Sequence, residues 1–234
     1  MILWAIENAA ASITVCQALK TEMVALGAGA DQIYPIRNGV DLQLFQPIAR
    51  DEQRRSLGID QYTLLSVGVL QQRKGHDLVI GALPMLPDVR LFIAGSGPEL
   101  GNLERLARRI DVNDRVTFLG AVSQTDLRKY YGAADALVLA SSREGWANVL
   151  LESMACGTPV IASNVWGTPE VIQSPAAGLL LKKRTSASIA DAVIELRENG
   201  MSRNSTREYA EQFSWDETTE KQVNLFARIL EGRR

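Results

Sequence analysis

The sequence predicts an α/β fold, a doubly wound parallel sheet with crossover helices, on three observations. From Tyr62 onward, short runs rich in aliphatic and β-branched residues alternate with helical patterns. The segments following the expected strands are rich in glycine and small residues, as ligand-binding strand ends are. The composition, 46% hydrophobic and 22% charged, is that of a globular protein rather than a disordered or fibrous one. A chain of 234 residues accommodates one complete domain of this kind with a smaller appendage, and is short for two.

Along the chain, an apolar strand is expected at Ile13–Cys16, a helix at Gln17–Leu26 ended by Gly27, and a short strand at Ile33–Ile36. So few elements cannot bury a core alone, so residues 1–37 read as the tail of a preceding unit. The turn Asn38–Gly39 and Pro47 mark residues 38–60 as a connector. Residues 61–213 then form the sheet domain. Its strands are expected at Thr63–Val67, Val89–Ala94, Arg115–Leu119, Ala136–Leu139, Pro159–Ala162 and Gly178–Leu181. Its helices are expected at His76–Leu83, Pro98–Ile110, Thr125–Ala133, Asn148–Ala155, Pro169–Gln173 and Ser186–Glu198. Residues 214–234 hold a long helix, Ser214–Leu230, whose apolar positions Trp215, Val223, Phe226 and Leu230 should pack onto something.

The formal charge of −2 supplies no broad basic field for nucleic acid or anionic lipid, so any bound anion must be held locally. Met1–Ala11 lacks a signal-peptide pattern, and no run approaches the roughly 20 apolar residues of a membrane span, so a cytoplasmic location is expected. Cys16 and Cys156 read as buried, reduced thiols. With His76 the sole histidine and no Asp-x-Asp sequence, neither an ordinary zinc site nor a histidine-based triad has enough parts, and no metal is expected.

The strongest local signal is Glu144-Gly-Trp-Ala-Asn-Val-Leu-Leu-Glu152, two carboxylates eight positions apart across a loop-to-helix junction. Both can face one crevice, with free N–H groups of the helix start between them. Carboxylates accept from sugar hydroxyls, and a helix N-terminus holds phosphate. Taken alone, the pair reads more readily as capping or solvated acids. A second loop, Gly68-Val-Leu-Gln-Gln-Arg-Lys-Gly75, follows the first strand and puts Arg73 and Lys74 at the same sheet edge, suited to a diphosphate although adjacent surface cations are common. Gly95-Ser-Gly-Pro-Glu99 breaks the dinucleotide fingerprint at Leu100 and reads mainly as structural, with ligand approach at Gly97 as an option.

Together these motifs resemble the donor-binding domain of the family 4 glycosyltransferases, the C-terminal, Rossmann-like half of the GT-B fold. Asn38-Gly-Val-Asp-Leu-Gln-Leu-Phe-Gln-Pro47 is similar to the interdomain signature, Gly68–Gly75 to the Arg-Lys loop, and Glu144–Glu152 to the Glu-x7-Glu motif; Met154–Pro159 and Gly167–Glu170 continue the series. The resemblance implies Glu144 at the transferred sugar, Glu152 at the ribose, and Arg73 with Lys74 at the leaving diphosphate. Gly68 and the backbone of Ala147, Asn148 and Val149 would assist, and the loop Gly120–Gln124, through Val122, would cover the base. It implies a nucleoside-diphosphate sugar as donor substrate, no cofactor, and metal-independent transfer with retention, in polysaccharide or related biosynthesis. It also implies an acceptor domain, in a longer chain or a partner, that would carry any peripheral membrane contact. A dimer through the terminal helix is the alternative cover for that helix. Trp146 and Ala147 stand where the family often has phenylalanine and glycine. Two other readings stay open: a non-catalytic nucleotide-sugar-binding module, and a sugar-nucleotide epimerase, which a single histidine disfavours.

Overall fold

The computed structural model describes residues 2–232; Met1, Arg233 and Arg234, the outermost residues of the expected terminal units, lie outside it. The chain opens with α1 (Ile2–Glu7), β1 (Ser12–Thr14), α2 (Gln17–Ala25) and β2 (Ile33–Pro35). Strands β1 and β2 pair in parallel as a separate two-stranded sheet. After α3 (Arg50–Ser56) comes the main domain: β3 (Tyr62–Val67), α4 (His76–Ala82), β4 (Val89–Ala94), α5 (Leu100–Arg109), β5 (Val116–Gly120) and α6 (Gln124–Ala133). It continues with β6 (Ala136–Leu139), α7 (Asn148–Ala155), β7 (Val160–Ser163), α8 (Thr168–Val171) and β8 (Gly178–Leu181). Three helices close the chain: α9 (Ser186–Asn199), α10 (Arg203–Ala210) and α11 (Trp215–Glu231).

The six strands β3 to β8 form one parallel sheet in the order β5-β4-β3-β6-β7-β8. Successive residues of a strand face opposite sides, so an uninterrupted apolar run serves two cores at once. Leu64, Leu91, Ile93, Val138 and Ile161 pack against α4, α5 and α9 through Val79, Ile80, Leu103, Ile189 and Val193. Their neighbours Leu65, Phe92, Leu137, Leu139 and Ala162 pack against α6 and α7 through Leu127, Tyr131, Leu150 and Met154. Strand order reverses between β3 and β6, which is the topological switch point of the sheet.

The expected elements form within a residue or two of their expected bounds, as helix and strand ends generally do. Three findings differ. The connector 38–60 contains α3, whose Arg50 and Arg54 both pair with Asp135 at the end of α6, so this helix is part of the sheet domain. Its sequence, RDEQRRS, has no apolar stripe and is held by ion pairs instead. Helix α10 was not expected either; Arg203 and Arg207 fix it by donating to the carbonyls of Gly132, Ala134, Ala155 and Phe45. In α11, Thr218 and Leu225 are the buried positions, whereas Val223, Phe226 and Leu230 remain 57%, 53% and 65% exposed.

The start of α11 docks on the connector. The Val40 amide donates to Phe213 O at 2.8 Å, and a Cβ on Gly39 would lie 2.5 Å from Trp215 N, which is why glycine stands in Asn38–Asp41. Arg37 clamps the same junction, pairing with Glu217 at 2.5 Å and lying over the Phe213 ring.

Candidate active site

The two loops flanking the switch point are those the sequence singled out. Residues 68–75 leave β3, residues 140–148 leave β6, and they are bonded to one another: Ser142 N donates to Arg73 O at 2.8 Å. Gly75 sits at φ 71°, in the left-handed region, and a Cβ there would fall 2.1 Å from Ala140 O. The Arg184 guanidinium holds the same carbonyl, its Nε donating at 2.7 Å. A rigid turn therefore presents the 3₁₀ segment Gln72–Lys74 beside the β6 loop.

Across this junction Lys74 Nζ donates to Glu144 Oε1 at 2.5 Å. Ser141 Oγ donates to that same oxygen at 2.7 Å, which leaves Oε2 without a protein partner among the described residues. The pair is mostly withdrawn from solvent, with side chains 15% and 11% exposed, and the aliphatic stem of Lys74 runs along Gly68. Arg73 is exposed; its Nε touches only Gln71 Oε1, at 3.2 Å.

Helix α7 begins at Asn148 behind a buried Ala147, and no side chain caps it. Leu150 N donates back to Ala147 O at 3.0 Å, while the Asn148 and Val149 amides have no partner among the described residues, and the helix dipole adds partial positive charge there. Asn38 Nδ2 donates to Asn148 Oδ1 at 3.3 Å, tying the connector motif to this helix start. Val149 is half-buried against the core. Glu152 lies one turn further along α7, where Tyr131 OH donates to its Oε2 at 2.8 Å. Burial pushes the Glu152 carboxyl above its usual range, and the Tyr131 bond only partly offsets this. Tyr131, fully buried and packed edge-on against Phe45, is pushed well above the ordinary phenol range by burial and by Glu152.

On the β4 and β5 side, Gly68, Val69, Gly95, Ser96, Ala121 and Val122 line a pocket of about 320 Å³. Gly97 is not in it. A Cβ at Gly97 would meet Leu70 O at 2.5 Å, and Leu70 N donates to Ser96 O, so glycine at this position lets two loops touch. His76 is buried, hydrogen-bonded to Ser66 Oγ at 2.9 Å, and held below its usual pKa by desolvation; it is a core histidine. An open groove of about 770 Å³ between α4 and α5 is lined by Gln71, Gln72 and His76 on one side and by the exposed Arg105, Arg108 and Arg109 on the other.

The sequence thus points to Gly68, Arg73, Lys74, Gly97, Val122, Glu144, Ala147, Asn148, Val149 and Glu152, and the fold places all ten in the loops that follow β3, β4, β5 and β6 or in the first two turns of α7. It does not reveal Ser141 or Tyr131, and it reads Asn38 only as part of the connector motif. Ser141 could have been flagged by its place three residues before Glu144 at a strand end; Tyr131 carries no such signal.

The family model for glycosyl transferases group 1 matches residues 49–213. The chain belongs to this family. The match begins one residue before α3, in agreement with that helix being part of the sheet domain. The group 1 chain is 35% identical over 216 residues to the D-inositol 3-phosphate glycosyltransferase of Mycolicibacterium smegmatis, covering 88% of this chain and 50% of that protein. The counterpart in Mycobacterium tuberculosis is 36% identical over 218 residues, with 87% and 45% covered. The chain therefore spans about half the length of the curated relatives it matches. Among solved structures, the sucrose-phosphate synthase of Thermosynechococcus elongatus superposes with a TM-score of 0.89 at 29% identity, over 97% of this chain and 60% of that one. The Rossmann-like parallel α/β fold is shared, and no helix among the described residues is long and apolar enough to cross a membrane.

Proposed function

We propose that this group 1 chain is the donor half of a retaining, metal-independent glycosyltransferase, binding a nucleoside-diphosphate sugar and passing its glycosyl group to a saccharide or lipid acceptor. The observation that carries the reading is the Lys74–Glu144 pair, which bridges the two switch-point loops beside the uncapped start of α7. A diphosphate entering between them finds the Arg73 and Lys74 cations and open helix N–H groups, while the free oxygen of Glu144 accepts from hydroxyls of the sugar. Glu152 accepts from the ribose, and the pocket at Val122 takes the base.

Transfer breaks the anomeric C–O bond to the diphosphate and forms one to the acceptor oxygen through an oxocarbenium-like state, the proton of the acceptor hydroxyl passing to the departing diphosphate. The main electrostatic task is to neutralise charge growing on the leaving group, and fixed cations and helix N–H groups in a partly dry crevice do this without reorganising. The acceptor half would be supplied by polypeptide beyond these residues or by a partner chain, because exclusion of water and positioning of two substrates need a second wall. The exposed Trp4, Leu26, Phe226 and Leu230 favour such a cover, and a second copy of the chain is the other candidate for it. If no acceptor half joins it, the chain is a nucleotide-sugar-binding module.

Calorimetric titration with UDP, GDP and ADP and their glucose, mannose and N-acetylglucosamine conjugates, with and without EDTA, tests the reading. One nucleotide binding independently of metal, and weakened at least tenfold by Arg73→Ala, supports it. No binding by the folded chain sinks the donor-site assignment.

A further inference from the structure

The loop after β7 carries features that donor binding leaves unused. Trp166 stands at φ 45°, in the left-handed region that a bulky side chain enters only at a cost. Glycine or asparagine would hold this turn more easily, and the tryptophan does not recover the cost by burial, since it remains 38% exposed. Arg143, itself exposed, lies with its guanidinium over one face of the indole ring, 5.2 Å from its centre, so the opposite face is the one open to a ligand. At the two ends of the loop, the hydroxyls of Ser163 and Thr168 are buried, at 2% and 1% exposure, and have no partner among the described residues. Strain of this kind, in a non-glycine residue at a strand end, is typical of a functional position.

Its place fixes what it could meet. Gly167 N donates to Glu144 O at 3.3 Å, so the loop abuts the residue assigned to the transferred sugar. On its far side, the Glu170 carboxylate accepts from Gln17 N and Ala18 N, both at 2.8 Å, which faces this loop toward the N-terminal segment. Along the sheet edge, the β4–β5 pocket, the β3–β6 loops, Glu144 and Trp166 follow in that order. The position beyond the sugar belongs to whatever receives it.

We propose that Trp166 and Arg143 form part of the acceptor subsite, the indole stacking on the C–H face of a saccharide or cyclitol ring and Arg143 pairing with an anionic substituent on that ring. This rests on the donor reading above. The test is saturation-transfer NMR and affinity titration of the chain, with and without UDP, using glucose 6-phosphate, glucuronate, glucose and inorganic phosphate. Glucose 6-phosphate and glucuronate should bind at least fivefold tighter than glucose, with saturation reaching their ring protons. Trp166→Gly should weaken both at least fivefold, keep UDP affinity within twofold, and leave Tm equal or higher because the strain is relieved. Arg143→Met should erase the preference for the charged sugars over glucose. Unchanged binding in Trp166→Gly, equal displacement by inorganic phosphate, or a joint loss of Tm and UDP affinity would each overturn the proposal, the last showing that the tryptophan only props the Glu144 loop. Failure of UDP to bind the unaltered chain would count against the donor site alone, because the charged-sugar titrations are read without nucleotide as well.

Discussion

Substituting Lys74 by methionine tests the central pair most directly. Removing one member of a buried ion pair costs about 3–5 kcal/mol when the other charge is left uncompensated. Here the side chains keep 15% and 11% exposure and Ser141 still donates to Glu144, so the loss should be nearer 2 kcal/mol, roughly 4–8 °C in Tm for a chain of this size. The double variant Lys74→Met, Glu144→Gln removes both charges and should return to within about 1 kcal/mol of the unaltered protein. Ligand binding should not follow that recovery. A charge-assisted hydrogen bond to diphosphate is worth about 1.5–3 kcal/mol, so both Lys74 variants should bind UDP about 10- to 100-fold more weakly. Urea denaturation followed by tryptophan fluorescence, with calorimetric titration of UDP, reads both quantities. If the double variant is as unstable as Lys74→Met alone, the pair is not the restraint described. If Lys74→Met binds UDP normally, the loop does not contact the diphosphate.

Two further substitutions separate shape from charge. Gly75→Ala places a Cβ 2.1 Å from Ala140 O at φ 71°, so it should cost at least about 2 kcal/mol in urea denaturation and weaken UDP binding by displacing both loops; a neutral result would mean that the turn relaxes freely. Glu152→Gln should raise stability at pH 7, because the folded carboxyl has its pKa raised by burial and its ionised form is penalised. The penalty appears as pH rises from the ordinary carboxylate range through the raised value, so the variant's advantage should vanish below about pH 4. UDP affinity should meanwhile fall about tenfold if Glu152 makes the charge-assisted bond to the ribose proposed above. A stability advantage that persists at low pH would point to packing instead.

Much of this architecture is legible in the sequence because the parallel strands are buried on both faces, and their residues must be apolar without interruption. Val89–Ala94, Ala136–Leu139 and Gly178–Leu181 fall on their expected bounds for that reason. Elements held by polar contacts are not legible in this way. Helix α3 owes its place to Asp135, and α10 to arginines reaching carbonyls far away in sequence, and neither leaves a periodic apolar trace. The same distinction runs through the site. Glu144, Lys74 and Arg73 announce themselves by sitting in glycine-bounded loops at strand ends, while Tyr131 is an ordinary aromatic on a helix until Glu152 is found against it.

Charge alone does not distinguish a binding group from a structural one in this protein, but the state of its hydrogen bonds does. Arg203, whose pKa burial lowers to about 10, meets Gly132 O, Ala134 O and Thr158 Oγ1, and its charge is spent holding α10 to the domain. Asp135 is likewise saturated, by Arg50, Arg54 and the Thr63 amide. At the sheet edge the opposite holds among the described residues: Arg73 meets a single glutamine, one oxygen of Glu144 has no partner, and no side chain caps α7. A folded chain tolerates polar groups in that condition where water or a ligand completes them. Among these four charged groups, the unspent hydrogen-bonding capacity lies on Arg73 and Glu144, where a diphosphate and sugar hydroxyls would use it. Ser163 and Thr168, whose hydroxyls have no partner among the described residues, flank the Trp166 loop one strand further along the edge.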